Sequence, residues 1–505
     1  MRVAELPTAR GLGVAASLLC CLALSPSMAR AELSDELLDK LKAKGILTEE
    51  EYRDLKQGRD EQLKLQREER RRTATKEALR QQREDDTKEA QSKQIKFETS
   101  GALKSLQLYG DVRLRYESRV GHSDVASAGT GLAANPHDVS RERWRYAFRI
   151  GIRGDLADNW FYGIRLDTST NPRSSWVTFG GEKFSTANAS GPSGKSEDGL
   201  GVGQIYLGWR TLPWLTLQAG KMPNPFYTTP MVWDPDIAPE ALAQRISYKP
   251  NDSFEVFGNF AQMIYQDVNP DQGNGSRLGF HKQEAFMLGW QGGLVYKLTP
   301  ATSAKAALTF YQYAGLAGSA PFIGDGPPGT STGYYASQNG INNLRVLEIP
   351  FELNFALANH SARVFGDIAR NLDGDARARA AGHPQATGDN SAYQLGFAYG
   401  TIGTTYGSTS KKGTWEVRTY WQRIEQFALD PNLTDSDFFE GRTNLQGLYA
   451  AVAYCFTDAI IGTARYGYAR RINDALGTGG SNGDLPYLNP ITDYRLAQFD
   501  LTMRF

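Results

Sequence analysis

The chain has 505 residues, with 56 Lys and Arg balanced by 56 Asp and Glu, and it carries 52 Gly, 9 Trp, 24 Tyr and 23 Phe. The charge-dense segment 32–98 is itself close to neutral and offers no polybasic patch, so no nucleic-acid partner is implied. After residue 31 no stretch has the ~18 consecutive apolar residues of a membrane helix.

Arg2 and Arg10 flank a charged start, and residues 11–24 form an apolar run too short to span a bilayer. Ala29-Arg30-Ala31 follows as a small-x-small cleavage site, so residues 1–31 read as a secretory signal peptide cut before Glu32. Cys20 and Cys21 suggest a lipoprotein signal as the alternative, but Leu19 is too large for the position before the cysteine. Both cysteines leave with the signal, and Cys455 alone remains, so no internal disulfide is expected. An exported bacterial protein without a membrane helix is periplasmic, secreted or a β-barrel.

Residues 32–98 are dense in charges of both signs. Leu37, Leu38, Leu41, Ile46, Leu47, Tyr52 and Leu55 give a helical apolar pattern. Gly45 suits a left-handed helix stop, and Thr48 with Glu51 forms a capping box. Residues 33–57 therefore predict a helical hairpin. From 57 to 96 helix propensity is high but the heptad pattern is poor. A coiled-coil stalk, a solvated single helix and a partly disordered tether all stay open there.

From Leu103 the hydrophobic period becomes two, the signature of a strand with unlike faces. The first strand, about 106–117, places Leu108, Val112, Leu114 and Tyr116 opposite Asp111, Arg113, Arg115 and Glu117. The second places Trp144, Tyr146, Phe148, Ile150 and Ile152 opposite Arg143, Arg145, Arg149 and Arg153. The third sets Tyr162, Ile164 and Leu166 against Arg165 and Asp167. Short turns recur near 155–159, 211–214, 249–252, 298–302, 358–361, 402–412 and 456–459. Long loops recur near 118–140, 170–201, 223–243, 266–283, 314–343, 371–390, 428–445 and 471–490. The last strand alternates Phe499, Leu501, Met503 and Phe505 with Asp500, Thr502 and Arg504. Short turns alternating with long loops, over about sixteen strands, predict an all-β transmembrane antiparallel barrel over residues 99–505. A soluble sandwich or solenoid would not need outward faces this aromatic at both strand ends.

The chain resembles the putative porins of Gram-negative outer membranes. The resemblance is carried by Gly220-Lys221-Met222, Asn224-Pro225-Phe226, Trp233-Asp234-Pro235-Asp236-Ile237 and Pro239-Glu240, and by Asp435-Ser436-Asp437-Phe438 ahead of the strand 447–456. It implies a passive or weakly selective pore, and a closing strand whose Phe505 is read by the assembly machinery. Ala241 stands where such porins often have Gly.

Inward faces carry the function of a pore. The expected pore-lining residues are Arg113, Arg115, Arg143, Arg145, Arg149, Arg153 and Arg165, facing Glu348 and Glu352 of the tenth strand across a sixteen-strand barrel. That would set a basic wall against an acidic one. The loop at 223–243, with Trp233, Asp234, Asp236 and Glu240, is the expected constriction. Salt-bridged scaffolding is the competing reading of the arginines. Only ten lysines follow residue 98, which argues against an anion-specific pore.

His122, His137, His281, His360 and His383 lie in loops or turns without a nucleophile constellation, so no enzyme is expected. No cofactor or metal is expected either. Asp267–Gly275 and Asp430–Asp437 lack EF-hand spacing and read as solvated loops. The expected partners are outer-membrane lipid and lipopolysaccharide, the barrel-assembly machinery and small hydrophilic solutes. A homotrimer and a peptidoglycan contact stay open. The competing function is a structural outer-membrane anchor whose helical stalk tethers to peptidoglycan or a periplasmic partner.

Overall fold

The computed structural model describes residues 35–46, 48–57, 101–124, 137–169, 171, 173–180, 199–266, 285–315, 341–401, 411–478, 484–485 and 488–505. The predicted signal peptide and nearly all of the 57–96 segment lie outside these residues. The chain divides into two compact units, Met1–Lys93 and Gln94–Phe505.

In the first unit, α1 (Asp35–Ala43) is followed by α2 (residues 49–57). Gly45 adopts φ 66°, and the amides of Gly45 and Ile46 bond back to the carbonyls of Lys42 and Leu41. That is the left-handed stop expected from its lack of a Cβ. The capping box forms as read: Glu51 Oε2 accepts from the Thr48 amide at 3.0 Å, and the Glu51 amide donates to Thr48 Oγ1 at 3.4 Å. Tyr52 closes the hairpin by donating to Asp39 Oδ1 at 2.5 Å.

The second unit is one closed sheet. Its strands are β1 (Gln107–His122), β2 (Asp138–Asp155), β3 (Trp160–Thr168), β4 (Val177–Thr178), β5 (Leu200–Leu212) and β6 (Leu215–Lys221). They continue as β7 (Glu240–Asn251), β8 (Phe254–Gln266), β9 (Ala285–Thr299), β10 (Thr302–Gly315), β11 (Arg345–Leu357) and β12 (His360–Asn371). After a short helix α3 (Gly374–Ala380) come β13 (Ser391–Gly400), β14 (Trp415–Ile424), β15 (Leu445–Cys455), β16 (Ile460–Arg471) and β17 (Asp493–Arg504). The two-residue β4 is a stub on β2, which leaves sixteen long strands in the wall. Every neighbouring pair is antiparallel, and β17 pairs with β1 to close the barrel, with Asp111 opposite Arg504 and Tyr116 opposite Phe499. Closure leaves no edge strand with unpaired backbone groups.

The period-two reading gives the correct faces. Leu114 is 44% exposed and Trp144 60%, whereas their neighbours Arg115 and Arg143 are buried. The barrel is thus inside out, with large apolar residues around its outer wall and charges within, as a lipid-facing wall requires. No described helix is long and apolar enough to cross a membrane. β1 runs on to His122, five residues beyond the expected end. Arg119 is buried inside and Val120 exposed outside, so the alternation simply continues. Aromatic pairs mark the rims: Trp160 stacks on Trp209 and Tyr399 meets Trp415 at the short-turn end, and Tyr393 meets Trp421 at the long-loop end. The largest apolar core lies within the barrel rather than in its wall. Loop residues such as Met231, Trp233, Phe438, Phe439, Leu488 and Ile491 pack there together.

Candidate pore constriction

Two loops meet inside the lumen. The first, residues 222–239, leaves β6 through a Pro-rich turn in which Asn224 Oδ1 accepts from the Phe226 amide at 2.9 Å. It then crosses to the inner wall built by β9–β12. Gln291 holds both backbone groups of Tyr227, at 2.9 and 2.7 Å. Thr228 Oγ1 donates to Glu348 Oε1 at 2.5 Å, and Thr229 Oγ1 to Asp367 Oδ2 at 2.6 Å. Tyr311 OH donates to the other Glu348 oxygen at 2.8 Å.

The second loop, residues 425–444, comes from the β14–β15 side and meets the first. The Asp234 amide donates to the Leu433 carbonyl at 2.6 Å, and the Asp435 amide to the Pro230 carbonyl at 3.0 Å. Asp234 Oδ2 accepts from the Ser436 amide at 3.0 Å. These bonds gather Asp234, Asp236, Asp435 and Asp437 at one place in the lumen. The opposite side of that place is the wall of β1, β2, β14, β16 and β17. Together they enclose about 290 Å³, lined by six arginines (Arg113, Arg115, Arg149, Arg418, Arg465, Arg504), the four loop aspartates, Glu416 and Asp500.

The arginines are extensively paired. Arg115 bonds Asp500 through Nε and Nη2 and Asp437 through Nη1. Arg465 reaches the same Asp500. Arg113 lies 2.7 Å from Asp111, while Arg149 bridges Asp111 at 2.8 Å and Asp236 at 3.4 Å. Arg418 bonds Glu416 at 2.6 Å.

The environments push the loop carboxyls apart. Burial, reinforced by Asp437 and Asp236, raises Asp435 to about 6. Burial also raises Asp234, with Asp435 and Asp236 adding to the effect. Burial raises Asp236 against the pull of Arg149. At Asp437 burial is outweighed by Arg115 and Arg119, which hold the carboxyl at about 2.

The expected residues separate by where they lie. Arg113, Arg115, Arg149, Asp234 and Asp236 border the opening. Arg143, Arg145 and Glu348 face inward but are sealed. Arg143 holds Glu117 and Asp484 at 2.6 and 2.7 Å, Arg145 donates to the Trp176 carbonyl at 3.2 Å, and Glu348 lies wholly under the first loop. Arg153 lies over the Tyr109 ring, Arg165 pairs with Asp167, and Glu352 sits 3.8 Å from Arg363. Trp233 packs in the loop core and donates to the Ile237 carbonyl. Glu240 stands at the start of β7 beside Lys221, on the strand face it shares with the outward Leu242.

Two expectations therefore change. The acidic wall of the tenth long strand, β11, does not confront the arginines, because the first loop covers Glu348. The negative side is built by loops instead. Asp430–Asp437 is no solvated loop: Asp430 is buried and accepts from Tyr265 OH at 2.8 Å. Arg418, Arg465, Arg504 and Asp500 also border the opening but are not in the expected pore-lining set, although their strands alternate as clearly as the first three. Among the described residues no group of three or more His, Cys, Asp or Glu could hold a metal ion.

A family model described as putative porin matches residues 32–323 and 340–505. The chain belongs to this family. The porin is thus a channel, and it passes small hydrophilic solutes across a Gram-negative outer membrane. None of the curated proteins compared with the sequence matches it. Among solved structures it is similar to Pseudomonas putida OprB, at 11% identity and a TM-score of 0.42 over 79% of this chain and 94% of that one. It is likewise similar to Salmonella typhi OmpF, solved in complex with daunomycin, at 11% and 0.42 over 81% and 100%. A triple mutant of Rhodopseudomonas blastica porin follows at 12% and 0.35 over 79% and 100%.

Proposed function

We propose that solutes pass between the loop carboxylates and the wall arginines, and that this gap sets a weak, field-dependent ion preference. The observation that carries the reading is the bond from the Ser436 amide to Asp234 Oδ2. It joins the two loops so that four aspartates face six arginines across about 290 Å³. Opposed charges on the two sides of a narrow opening orient dipolar solutes and favour neither ion strongly. Arg113, Arg115 and Arg149 with Asp234 and Asp236 are the pore-lining residues of this reading, and Arg143, Arg145 and Glu348 are its scaffold.

Residues 1–31 serve in this reading as a cleaved signal peptide, and α1–α2 lie in the periplasm. Phe505 completes the strand recognised during assembly. The test is single-channel conductance of purified protein in a planar bilayer, with reversal potential under a salt gradient. Replacing Asp234 and Asp236 with Asn should move the reversal potential toward anions. Unchanged selectivity and conductance would place the solute path elsewhere.

A further inference from the structure

Resting on that reading of the passage, we propose that the opening binds a small zwitterion, an amino acid with an uncharged side chain, between Arg504 and the pair Asp234 and Asp435. Of the six arginines that border the opening, five hold carboxylates. Arg113 and Arg149 take Asp111, Arg115 and Arg465 take Asp500, and Arg418 takes Glu416. Arg504 of β17 holds none among the described residues, although Asp111 stands opposite it across the closure seam. Asp111 is already shared by two other arginines, so the Arg504 charge is left over.

Two carboxyls on the loop side are left over in the same way. Asp234 accepts from the backbone amides of Asp236 at 2.9 Å and Ser436 at 3.0 Å. Asp435 accepts from those of Asp437 at 3.1 Å and Phe438 at 3.3 Å. These bonds fix both carboxyls in place, yet neither forms an ion pair among the described residues. Arg173 lies near both, but it donates to the Thr434 carbonyl at 2.6 Å and does not border the opening.

The leftover charges identify the occupant. A charge held away from bulk water calls for a partner. Here one cation in the wall and two carboxyls in the loops border a single cavity. An inorganic ion would serve one side and leave the other. A zwitterion serves both, with its carboxylate on the Arg504 fork and its ammonium at Asp234 and Asp435. It also adds no net charge to an opening whose six arginines already meet six carboxyls. The volume of about 290 Å³ lies at the lower edge of the roughly 300–1,000 Å³ of small-molecule sites. Pro230, Pro235, Tyr420, Tyr449, Ala451 and Ile461 complete the border. An uncharged side chain fits beside these, whereas a charged one would meet arginines and carboxylates that are already paired.

Initial uptake of radiolabelled L-valine into proteoliposomes of the full-length protein tests this. In wild type the rate should saturate with concentration. Unlabelled valine should compete. Isovalerate, which lacks the amino group, and isobutylamine, which lacks the carboxylate, should not. Arg504→Gln, and Asp234→Asn with Asp435→Asn, should each lower uptake at low concentration about tenfold, the loss expected for one hydrogen-bonded charge. Arg504→Lys should keep most of it. Heat-modifiable migration checks that each variant is folded. Uptake that rises linearly in wild type, competition by isovalerate or isobutylamine equal to that by valine, or wild-type uptake in Arg504→Gln would each overturn the proposal. The reversal potential of Asp234→Asn with Asp236→Asn separates the two levels. A shift together with linear valine uptake removes the zwitterion site and leaves the passage, whereas no shift together with linear uptake removes both.

Discussion

Arg115 of β1 holds Asp437, a residue of the second lumen loop, at 2.9 Å while its other two nitrogens grip Asp500 of β17. The one guanidinium thereby ties the closure seam of the barrel to the loop that narrows it. Arg115 is 3% exposed, so its charge depends on these partners. Asp500 keeps Arg465 and Asp437 keeps Arg119, so the loss of Arg115 costs less than the about 3–5 kcal/mol of a wholly uncompensated buried charge, but it removes the one group that joins the two. Arg115→Gln should therefore free the loop. Single-channel traces should show larger mean conductance and more frequent flicker, and the heat-modification midpoint should fall.

Charge changes at the opening should act in opposite directions. Arg149→Gln with Arg504→Gln should shift the reversal potential toward cations, and Asp234→Asn with Asp236→Asn toward anions. Both shifts should shrink between physiological salt and 1 M, because the screening length falls from about 8 to about 3 Å. Glu348→Gln should leave selectivity unchanged, since that carboxyl does not reach the opening.

Cation preference should also depend on pH. Asp435 is raised to about 6, so it is mostly neutral at pH 5 and charged at pH 7.5. Asp234 is raised as well, whereas Asp437, at about 2, stays charged throughout. Selectivity for cations should therefore grow as pH rises through about 6, and Asp435→Asn should flatten that step. The sign for stability is the reverse. A carboxyl whose value is raised on folding stabilises the fold below its unfolded value and loses that contribution as pH rises through the folded one. The contact between the loops should be firmest in mild acid, read as reduced flicker at pH 5.

The first loop is moored by hydroxyls on buried carboxyls. Thr228→Val would leave a Glu348 oxygen without its donor, a loss of about 1–3 kcal/mol for a buried group. Conductance should rise, with selectivity kept, in the same bilayer measurement.

Phe505 seals the barrel at its end. Its carbonyl accepts from the Gly110 amide at 2.9 Å, its amide donates to the Gly110 carbonyl at 3.1 Å, and its ring covers Gly110, where a Cβ would meet it at 2.6 Å. Deleting Phe505, or Gly110→Leu, should lower the fraction that reaches the heat-modifiable form.

The strand faces and the loop rhythm were determined by the sequence itself. A period of two is local: Trp144 and Arg145 must point to opposite sides whatever surrounds them. The hairpin stop at Gly45 and the Thr48–Glu51 cap are equally local, each decided within a few residues. Alternation likewise sends Arg113, Arg115 and Arg149 inward. It cannot say which inward charge meets open space, because that depends on partners far along the chain. Glu348 is covered by Thr228, 120 residues away, and Arg115 meets Asp437 across 322. Only the tertiary structure decided that the negative side of the opening is made by two loops rather than by β11. Loops carry no period, and where they rest is set by long-range hydrogen bonds and buried ion pairs that no local pattern encodes.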